Sequence, residues 1–114
     1  MHEISLVQAM LQQLSDLAVQ NKATKVIKIT MKIGLQSGVV ADSFRFGFDV
    51  LSGNDDLVKG AELVIIETPA AFRCTQCDHT VTALARPDCC PKCQETFLIP
   101  EGGDELILQQ VEME

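Results

Sequence analysis

Four cysteines in two closely spaced pairs are the residues of this sequence best suited to chemistry. Cys74 and Cys77 form one Cys-x-x-Cys pair, and Cys90 and Cys93 form a second pair after twelve intervening residues. A two-residue gap lets one turn aim both thiolates at a single ion, and two such turns complete the tetrahedron that Zn²⁺ accepts. The spacing therefore predicts a structural four-cysteine zinc site. A cluster of reduced thiols without metal and a redox disulfide pair are the alternatives.

The residues beside the cysteine pairs leave two roles open. Zinc turns often place glycine after the second cysteine, where a positive φ is wanted, and here Asp78 and Gln94 stand there. Cys89 adjoins Cys90 and competes as a ligand, but Cys90 keeps the two-residue gap, so Cys89 is expected to be a buried or half-exposed thiol. His79 is either a solvent-facing loop residue or an alternate metal ligand.

The first three residues offer a second and different kind of metal site. Met1 brings the terminal amine, His2 brings a backbone nitrogen and an imidazole, and these atoms are joined through one backbone. Ni²⁺ favours square-planar or tetragonal nitrogen and oxygen ligands, which such fused chelate rings supply. The alternative is that His2 is incidental. The Glu3 carboxylate suits either a favourable interaction with the helix dipole or assistance at the metal.

Hydrophobic periodicity predicts the elements that position these residues. Apolar side chains recur every three or four positions over residues 4–18, as in an amphipathic helix. That helix places His2 close to a helix N-terminus, where free N–H groups lie. Residues 26–33 alternate between apolar and polar side chains, which predicts a strand with one buried face.

The remaining elements are shorter. Residues 42–51 fit both helical and strand spacing, but their length and the capping residues Asp42 and Ser43 favour a short helix. Residues 63–66 and 106–113 are predicted strands. All five cysteines lie between those two strands, in a segment rich in proline, which indicates an inserted subdomain before the chain returns to the main sheet.

Charge and composition exclude several classes of protein. The formal net charge is −7, whereas a nucleic-acid binder needs a basic footprint. The chain shows no signal peptide and no apolar run long enough to span a membrane. Five cysteines, four of them in metal spacing, fit a reducing cytosol, so we expect a cytoplasmic protein. A zinc ion held by four cysteines lacks the open position that hydrolysis needs, so we expect no enzyme.

Four motifs carry a resemblance to a known family. In chain order they are Met1-His2-Glu3, the strand end Lys32-Ile33-Gly34, the Cys-x2-Cys…Cys-Pro-x-Cys insertion, and the closing Gly102-Gly103-Asp104-Glu105-Leu106. Together they resemble the HypA/HybF nickel metallochaperones of [NiFe]-hydrogenase maturation, over essentially the whole chain. The family often has glycine directly after the second cysteine of each pair, whereas this chain has Asp78 and Gln94 there. This departure bears on the backbone geometry of the two turns and not on the cysteine ligands.

The resemblance implies a fold and a division into domains. The fold is α+β: two helices on a small three-stranded sheet, with an inserted four-cysteine zinc-ribbon-like subdomain. Residues 1–69 plus 101–114 would form the nickel-binding α/β domain, and residues 70–100 the zinc-binding domain.

The resemblance also implies the metals, their ligands and the partners. His2 would be the essential ligand of a transferred Ni²⁺, helped by the Met1 amine and the backbone nitrogens of His2 and Glu3, while Zn²⁺ is structural. The partners would be a HypB-type GTPase and the large subunit of a [NiFe]-hydrogenase, with a weak homodimer as a further candidate. The competing interpretation is a zinc-ribbon protein-interaction module without a nickel role.

Overall fold

A computed structural model describes residues 2–114; Met1 lies outside the described residues. The chain forms two helices and six strands: α1 (Glu3–Gln20), β1 (Val26–Gly34), α2 (Ala41–Ser52), β2 (Glu62–Thr68), β3 (Ala70–Cys74), β4 (Thr80–Ala83), β5 (Leu98–Glu101) and β6 (Leu106–Met113). Within this described part, neither helix has the length and apolar character needed to cross a membrane.

The first sheet has the strand order β2-β1-β6 and carries the larger core. The central strand β1 runs parallel to β2 and antiparallel to β6. Ile29 of β1, fully buried, shares this core with Leu14 of α1 and Phe44 of α2. The predicted arrangement of two helices on a three-stranded sheet is confirmed, and the amphipathic stripe of α1 is the reason for its packing.

The second sheet, with strand order β4-β3-β5, lies between β2 and β6 in the chain. Its small core holds Phe72, Leu98 and two of the cysteines. The guanidinium carbon of Arg86 lies 5.8 Å from the centre of the Phe72 ring. The predicted inserted subdomain is therefore present, with a sheet of its own. Glu101 pairs with Ala71 in this sheet, while the domain division at residues 70 and 100 stays a prediction.

Residues 42–51, whose spacing fits both a helix and a strand, lie in helix α2. Phe44 and Phe48 are buried at helical spacing, whereas the Phe46 side chain is 62% exposed. One expectation is wrong: Val40, not Asp42, is the N-cap, and it makes no side-chain cap hydrogen bond. The Glu3 carboxylate of α1 accepts the Val40 N–H at 3.4 Å. Asp42 lies in the first turn of α2, where a carboxylate interacts favourably with the helix dipole.

The two sheets meet at a tight junction around Gly34. The Gly34 N–H donates to the Glu105 carbonyl at 2.8 Å, and the Leu35 N–H donates to the Thr68 carbonyl at 3.0 Å. A Cβ on Gly34 would lie 2.1 Å from the Gly103 carbonyl oxygen, so only glycine fits. The second sheet extends from this junction, and the molecule measures 55 × 25 × 17 Å.

Candidate metal centres

The two cysteine pairs converge on one point. The four sulfur atoms of Cys74, Cys77, Cys90 and Cys93 all lie within 4.8 Å of one another. Sγ of Cys74 is 3.5 Å from that of Cys93, and Sγ of Cys77 is 3.6 Å from that of Cys90. A tetrahedral Zn²⁺ with Zn–S bonds of about 2.3 Å separates its ligand sulfurs by about 3.8 Å. The cluster is therefore suited to zinc in both donor type and spacing.

Each cysteine pair lies in a turn whose last residue has a left-handed backbone. Asp78 has a φ of 64° and Gln94 a φ of 70°. Zinc turns often have glycine at these two places, and here Asp78 and Gln94 adopt the same left-handed backbone without it. The Asp78 N–H donates to the Cys74 carbonyl and the Gln94 N–H to the Cys90 carbonyl, which closes the two turns in the same way.

Backbone N–H groups of these turns point at the sulfur atoms. The N–H groups of Gln76 and Cys77 lie 3.4 and 3.5 Å from Sγ of Cys74, and the Lys92 N–H lies 3.4 Å from Sγ of Cys90. Such donors stabilise a thiolate. The Cys77 N–H, with that of Gln76, lowers the pKa of the Cys74 thiol to about 7.

Gathering several ionisable sulfurs shifts the pKa values of Cys90 and Cys93 in opposite directions. Burial raises the pKa of Cys90, but donors that include the N–H groups of Cys93 and Lys92 outweigh it, so the pKa is lowered. For Cys93, the Glu95 N–H lowers the pKa, but the neighbouring thiols and burial raise it to about 12. Cys93 thus resists ionisation, whereas Cys74 and Cys90 ionise more readily than an ordinary thiol. A divalent cation bound among them would favour the thiolate form of all four.

The two side chains with open roles lie outside the group of four sulfurs. Cys89 is half-buried, and its Sγ lies 3.5 Å from the Gln94 side-chain oxygen. His79 is exposed, and its backbone carbonyl accepts the Cys74 N–H at 2.8 Å. Among the described residues, the metal-sized group therefore contains neither of them.

At the other end of the molecule, His2 is exposed and immediately precedes α1. Its carbonyl accepts the Leu6 N–H at 3.0 Å, so its backbone already belongs to the first helical hydrogen bond. The N–H groups of the first helical turn, Glu3 included, have no intrahelical acceptor. The predicted ligand Met1 lies outside the described residues.

Glu3 has a side-chain environment that the sequence did not predict. Glu3 is only 5% exposed, and its Oε2 accepts the Val40 N–H at 3.4 Å. Its own N–H and then that of Val40 lower the pKa of the Glu3 carboxyl. The carboxylate therefore lies where both helices begin. Whether its backbone nitrogen binds nickel stays a prediction.

The segment 35–40, which we name the β1–α2 loop, contacts both metal regions. Leu35 packs against the core that contains Cys74 and Cys90, while Val40 donates its N–H to Glu3. The sequence did not predict this contact. The only sequence feature that hinted at this contact is Leu35, an apolar residue directly after the end of β1. That feature is not specific, because loops without long-range contacts often begin with an apolar residue as well.

Comparison with known proteins gives a consistent family. Residues 1–113 match the family model described as "Hydrogenase/urease nickel incorporation, metallochaperone, hypA". The chain is 34% identical over 113 residues to a protein of Beijerinckia indica subsp. indica named "Hydrogenase maturation factor HypA", covering 99% of each. It is 37% identical over 114 residues to a protein of the same name from Dehalococcoides mccartyi, covering 100% of this chain and 95% of that one.

A solved structure also resembles this fold. The protein described as "Solution structure of the Ni metallochaperone HypA from Helicobacter pylori" superposes with a TM-score of 0.66 at 27% identity. The match covers 99% of this chain and 97% of that one. Sequence and structure therefore agree over nearly the full length of both chains.

Proposed function

The chain belongs to the HypA family of nickel-incorporation metallochaperones, and on that premise we propose that it binds Ni²⁺ at its N-terminus and delivers it for [NiFe]-hydrogenase maturation. The resemblance predicted from the sequence is thereby confirmed at the level of the family. The proposed ligands are the His2 imidazole and backbone nitrogen, the Met1 amine and the Glu3 backbone nitrogen.

The observation that carries the proposal is the placement of His2. Its side chain is exposed immediately before α1, so its imidazole is accessible to a metal ion and to a partner. The neighbouring Glu3 is buried and held against Val40, which anchors the backbone from which the imidazole projects. A rigid backbone with an exposed ligand supports a site that both binds and releases its ion.

The two metal centres differ in ligand chemistry, which supports assigning them to different metals. Cys74, Cys77, Cys90 and Cys93 would hold Zn²⁺, and thiolate ligands in a closed tetrahedron make it a structural ion. Its chemistry there would be to compensate four negative charges and to hold two turns together. Nitrogen ligands at the N-terminus instead suit Ni²⁺. Catalysis forms no part of the proposal.

The proposed partners and compartment follow from the family and the free thiols. A HypB-type GTPase and the hydrogenase large subunit are the proteins with which nickel would be exchanged. Five cysteines without a disulfide among them are consistent with a reducing cytoplasm, where we place the protein.

An N-terminal extension tests the proposal, because it removes the free amine next to His2 and leaves every side chain in place. We expect the untagged chain to bind one Ni²⁺ tightly, more weakly as the pH falls, since protons compete for the same nitrogens. A chain extended by Gly-Ser should bind Ni²⁺ far more weakly while keeping its zinc. Equal nickel titrations for both chains would contradict the proposal and favour a zinc-ribbon interaction module.

A further inference from the structure

Strand β6 is an edge strand whose outer side is open. In the strand order β2-β1-β6, only one side of β6 pairs with another strand among the described residues. The opposite edge of the sheet is partly closed, because Arg45 of α2 donates from its Nη1 to the Leu63 carbonyl of β2 at 2.9 Å. Along β6 there is instead a groove of about 760 Å³, between residues 108–114 and the second half of α1. An open edge strand is a template for pairing with another chain.

The backbone groups that point into this groove follow from the hydrogen bonds at both ends of β6. The Gly34 N–H donates to the Glu105 carbonyl at 2.8 Å. Glu114 and Lys25 exchange two N–H···O bonds of 2.8 and 3.1 Å. The backbone groups of residues 105 and 114 therefore point at β1. Because this direction alternates along an antiparallel strand, counting inward from each end gives the residues whose N–H and C=O point outward: Leu106, Leu108, Val111 and Met113.

A β-bulge lies in the middle of β6. Thr30 of β1 pairs with Gln110. The next residue of β1, Met31, pairs with Leu108, so Gln109 is the extra residue of the bulge. Side chains alternate between the two faces along a regular strand. The extra residue shifts this alternation by one position, and residues 108 and 111 therefore lie on the same face of the sheet.

The outward-pointing residues of β6 all place their side chains on the face that α1 covers. Leu108, Val111 and Met113 pack against the larger core. Leu106 and Leu108 line a cavity of about 170 Å³ together with Leu6 of α1. The outward backbone groups and the apolar side chains therefore come in the same order when β6 is followed from either end. Two identical strands related by a two-fold axis need this symmetry, because each residue contacts the symmetry-related position of the other copy.

We propose that β6 pairs with β6 of a second copy of this chain, antiparallel and about a two-fold axis that passes between Gln109 and Gln110. The two sheets then form one continuous sheet. An unrelated extended segment would need no symmetry in β6, so the match of the strand to itself favours a second copy as the occupant. The interface is confined to one strand and the adjoining helix, so the dimer is a reversible one. This proposal does not depend on the proposed nickel function.

The proposed register satisfies the backbone and the side chains together. Leu106 faces Met113 of the second copy, and Leu108 faces Val111. Each of these pairs brings two outward-pointing residues together, so their N–H and C=O groups exchange hydrogen bonds across the interface. The only charged residue of β6, Glu112, faces an isoleucine, so no like charges oppose each other along the strand.

Two lysines beside the axis test the pairing. Gln109→Lys combined with Gln110→Lys places lysine opposite lysine only if the strands pair in this register. Both positions are exposed, so the fold of the single chain should be kept. The measurement is sedimentation equilibrium of the full-length, zinc-loaded chain over a range of concentrations. We expect the natural chain to dimerise reversibly, and the two-lysine variant to have a dimer dissociation constant at least about tenfold higher.

Two matched variants separate register from charge. Gln109→Glu combined with Gln110→Lys places glutamate opposite lysine of the second copy, so its dimer dissociation constant should be within about threefold of the natural value or lower. Gln8→Lys combined with Gln12→Lys adds the same charge as the two-lysine variant at exposed positions of α1 that line a different cavity, beside Leu51. This charge control should stay within about twofold of the natural chain.

Amide hydrogen exchange locates the interface by an independent measurement. The N–H groups of Leu108 and Val111 point outward and should exchange more slowly as the concentration of the natural chain rises. Amides of β3, β4 and β5 should exchange at rates that do not depend on concentration. In the two-lysine variant, the exchange of Leu108 and Val111 should lose its concentration dependence.

Three results would overturn the proposal. One is a natural chain that stays monomeric at every concentration, which would leave the edge of β6 to an extended segment of another protein. Another is a two-lysine variant that dimerises as strongly as the natural chain, which would place the dimer contact elsewhere. The third is a glutamate–lysine variant as weak as the two-lysine variant, which would exclude the proposed register.

Discussion

The four-cysteine cluster and the N-terminal segment hold their candidate ligands in opposite ways. In the cluster, Cys74 and Cys90 are buried, and turns with left-handed residues aim the sulfurs from distant parts of the chain. At the N-terminus, the ligands are adjacent in the chain, and the exposed His2 needs no tertiary contact to bring them together. The first arrangement ties metal to folding, whereas the second leaves the fold independent of the ion.

Under the proposed function, this difference would let one small chain keep one metal and pass on another. Release from the cluster requires two turns and a small sheet to come apart. Release from the proposed N-terminal site would require only that one imidazole and a few backbone nitrogens leave the ion. The β1–α2 loop contacts both regions, through Leu35 at the cluster core and through Val40 at Glu3.

Replacing a buried cluster cysteine should have the largest effect. Cys74→Ser removes one of four thiolates, and structural zinc sites contribute roughly 10–16 kcal/mol to folding of the peptide around them. We expect zinc to fall from about one ion per chain to almost none, with loss of amide dispersion for residues 70–101 in heteronuclear NMR. Residues of β1, β2 and β6 should keep their native shifts.

Cys89→Ser is the matched control for this variant, because Cys89 adjoins the cluster and lies outside it. It should retain one zinc and all native shifts. Loss of zinc in Cys89→Ser with retention in Cys74→Ser would mean that the ligand set is assigned wrongly.

A substitution at the junction should have the next largest effect. Gly34→Ala places a methyl group 2.1 Å from the Gly103 carbonyl oxygen, which is backbone and cannot rotate away. We expect a loss of about 3 kcal/mol in the free energy of unfolding and a fall in Tm of roughly 10 °C, measured by calorimetry.

Gly53→Ala serves as its control, since its nearest neighbours are carbonyl oxygens at 3.8 Å and its φ is −61°. Its Tm should stay unchanged or rise slightly. If both variants melt alike, the two sheets are not held by the close approach at Gly34.

The smallest predicted effect concerns Glu3 and depends on pH. Because folding lowers the pKa of this carboxyl below its ordinary 4.5, the stabilisation is present above that pH and is lost as the pH falls through the folded-state value. Glu3→Gln should therefore melt below the natural chain at neutral pH, and the difference should shrink in acid. Thermal melts from about pH 7 to about pH 3 measure it, with the exposed Glu112→Gln as control.

Nickel affinity of Glu3→Gln separates the two roles of this residue. The side chain is directed at Val40, and the proposed nickel ligand is the backbone nitrogen, which the substitution keeps. Affinity should stay within a few-fold of the natural chain. A drop as large as that of a His2 variant would show that the carboxylate itself binds the ion.

The elements with strong periodicity were predictable from sequence, and so was the cysteine cluster. The apolar residues of α1 recur at helical spacing only, and those of β1 alternate as in a strand only. The Cys-x-x-Cys spacing is predictable because one turn must present two sulfurs to the same ion. The left-handed backbone at Asp78 and Gln94 was not predictable in the same way, because neither residue is glycine and the missing glycines left the turn geometry open.

The remaining features depend on contacts between distant parts of the chain. Val40, the N-cap residue of α2, donates its N–H to the carboxylate of Glu3, 37 positions earlier, and local capping rules do not predict such a contact. Strands β3, β4 and β5 are short and form because the cysteines and Phe72 bring them together. The β1–α2 loop contacts the second sheet through Leu35, which packs against core residues that follow it by 35 or more positions in the sequence.

A paired nickel and zinc measurement on untagged protein, comparing the natural chain with His2→Gln, decides whether the N-terminus is a separate nickel site. We predict one zinc in both, and nickel affinity at least about 100-fold weaker in His2→Gln, a difference of about 2.7 kcal/mol. The fold should be unchanged, because the exposed imidazole makes no contribution to the core. Equal nickel binding in both chains would remove His2 from the mechanism and refute the assignment of nickel to the N-terminus.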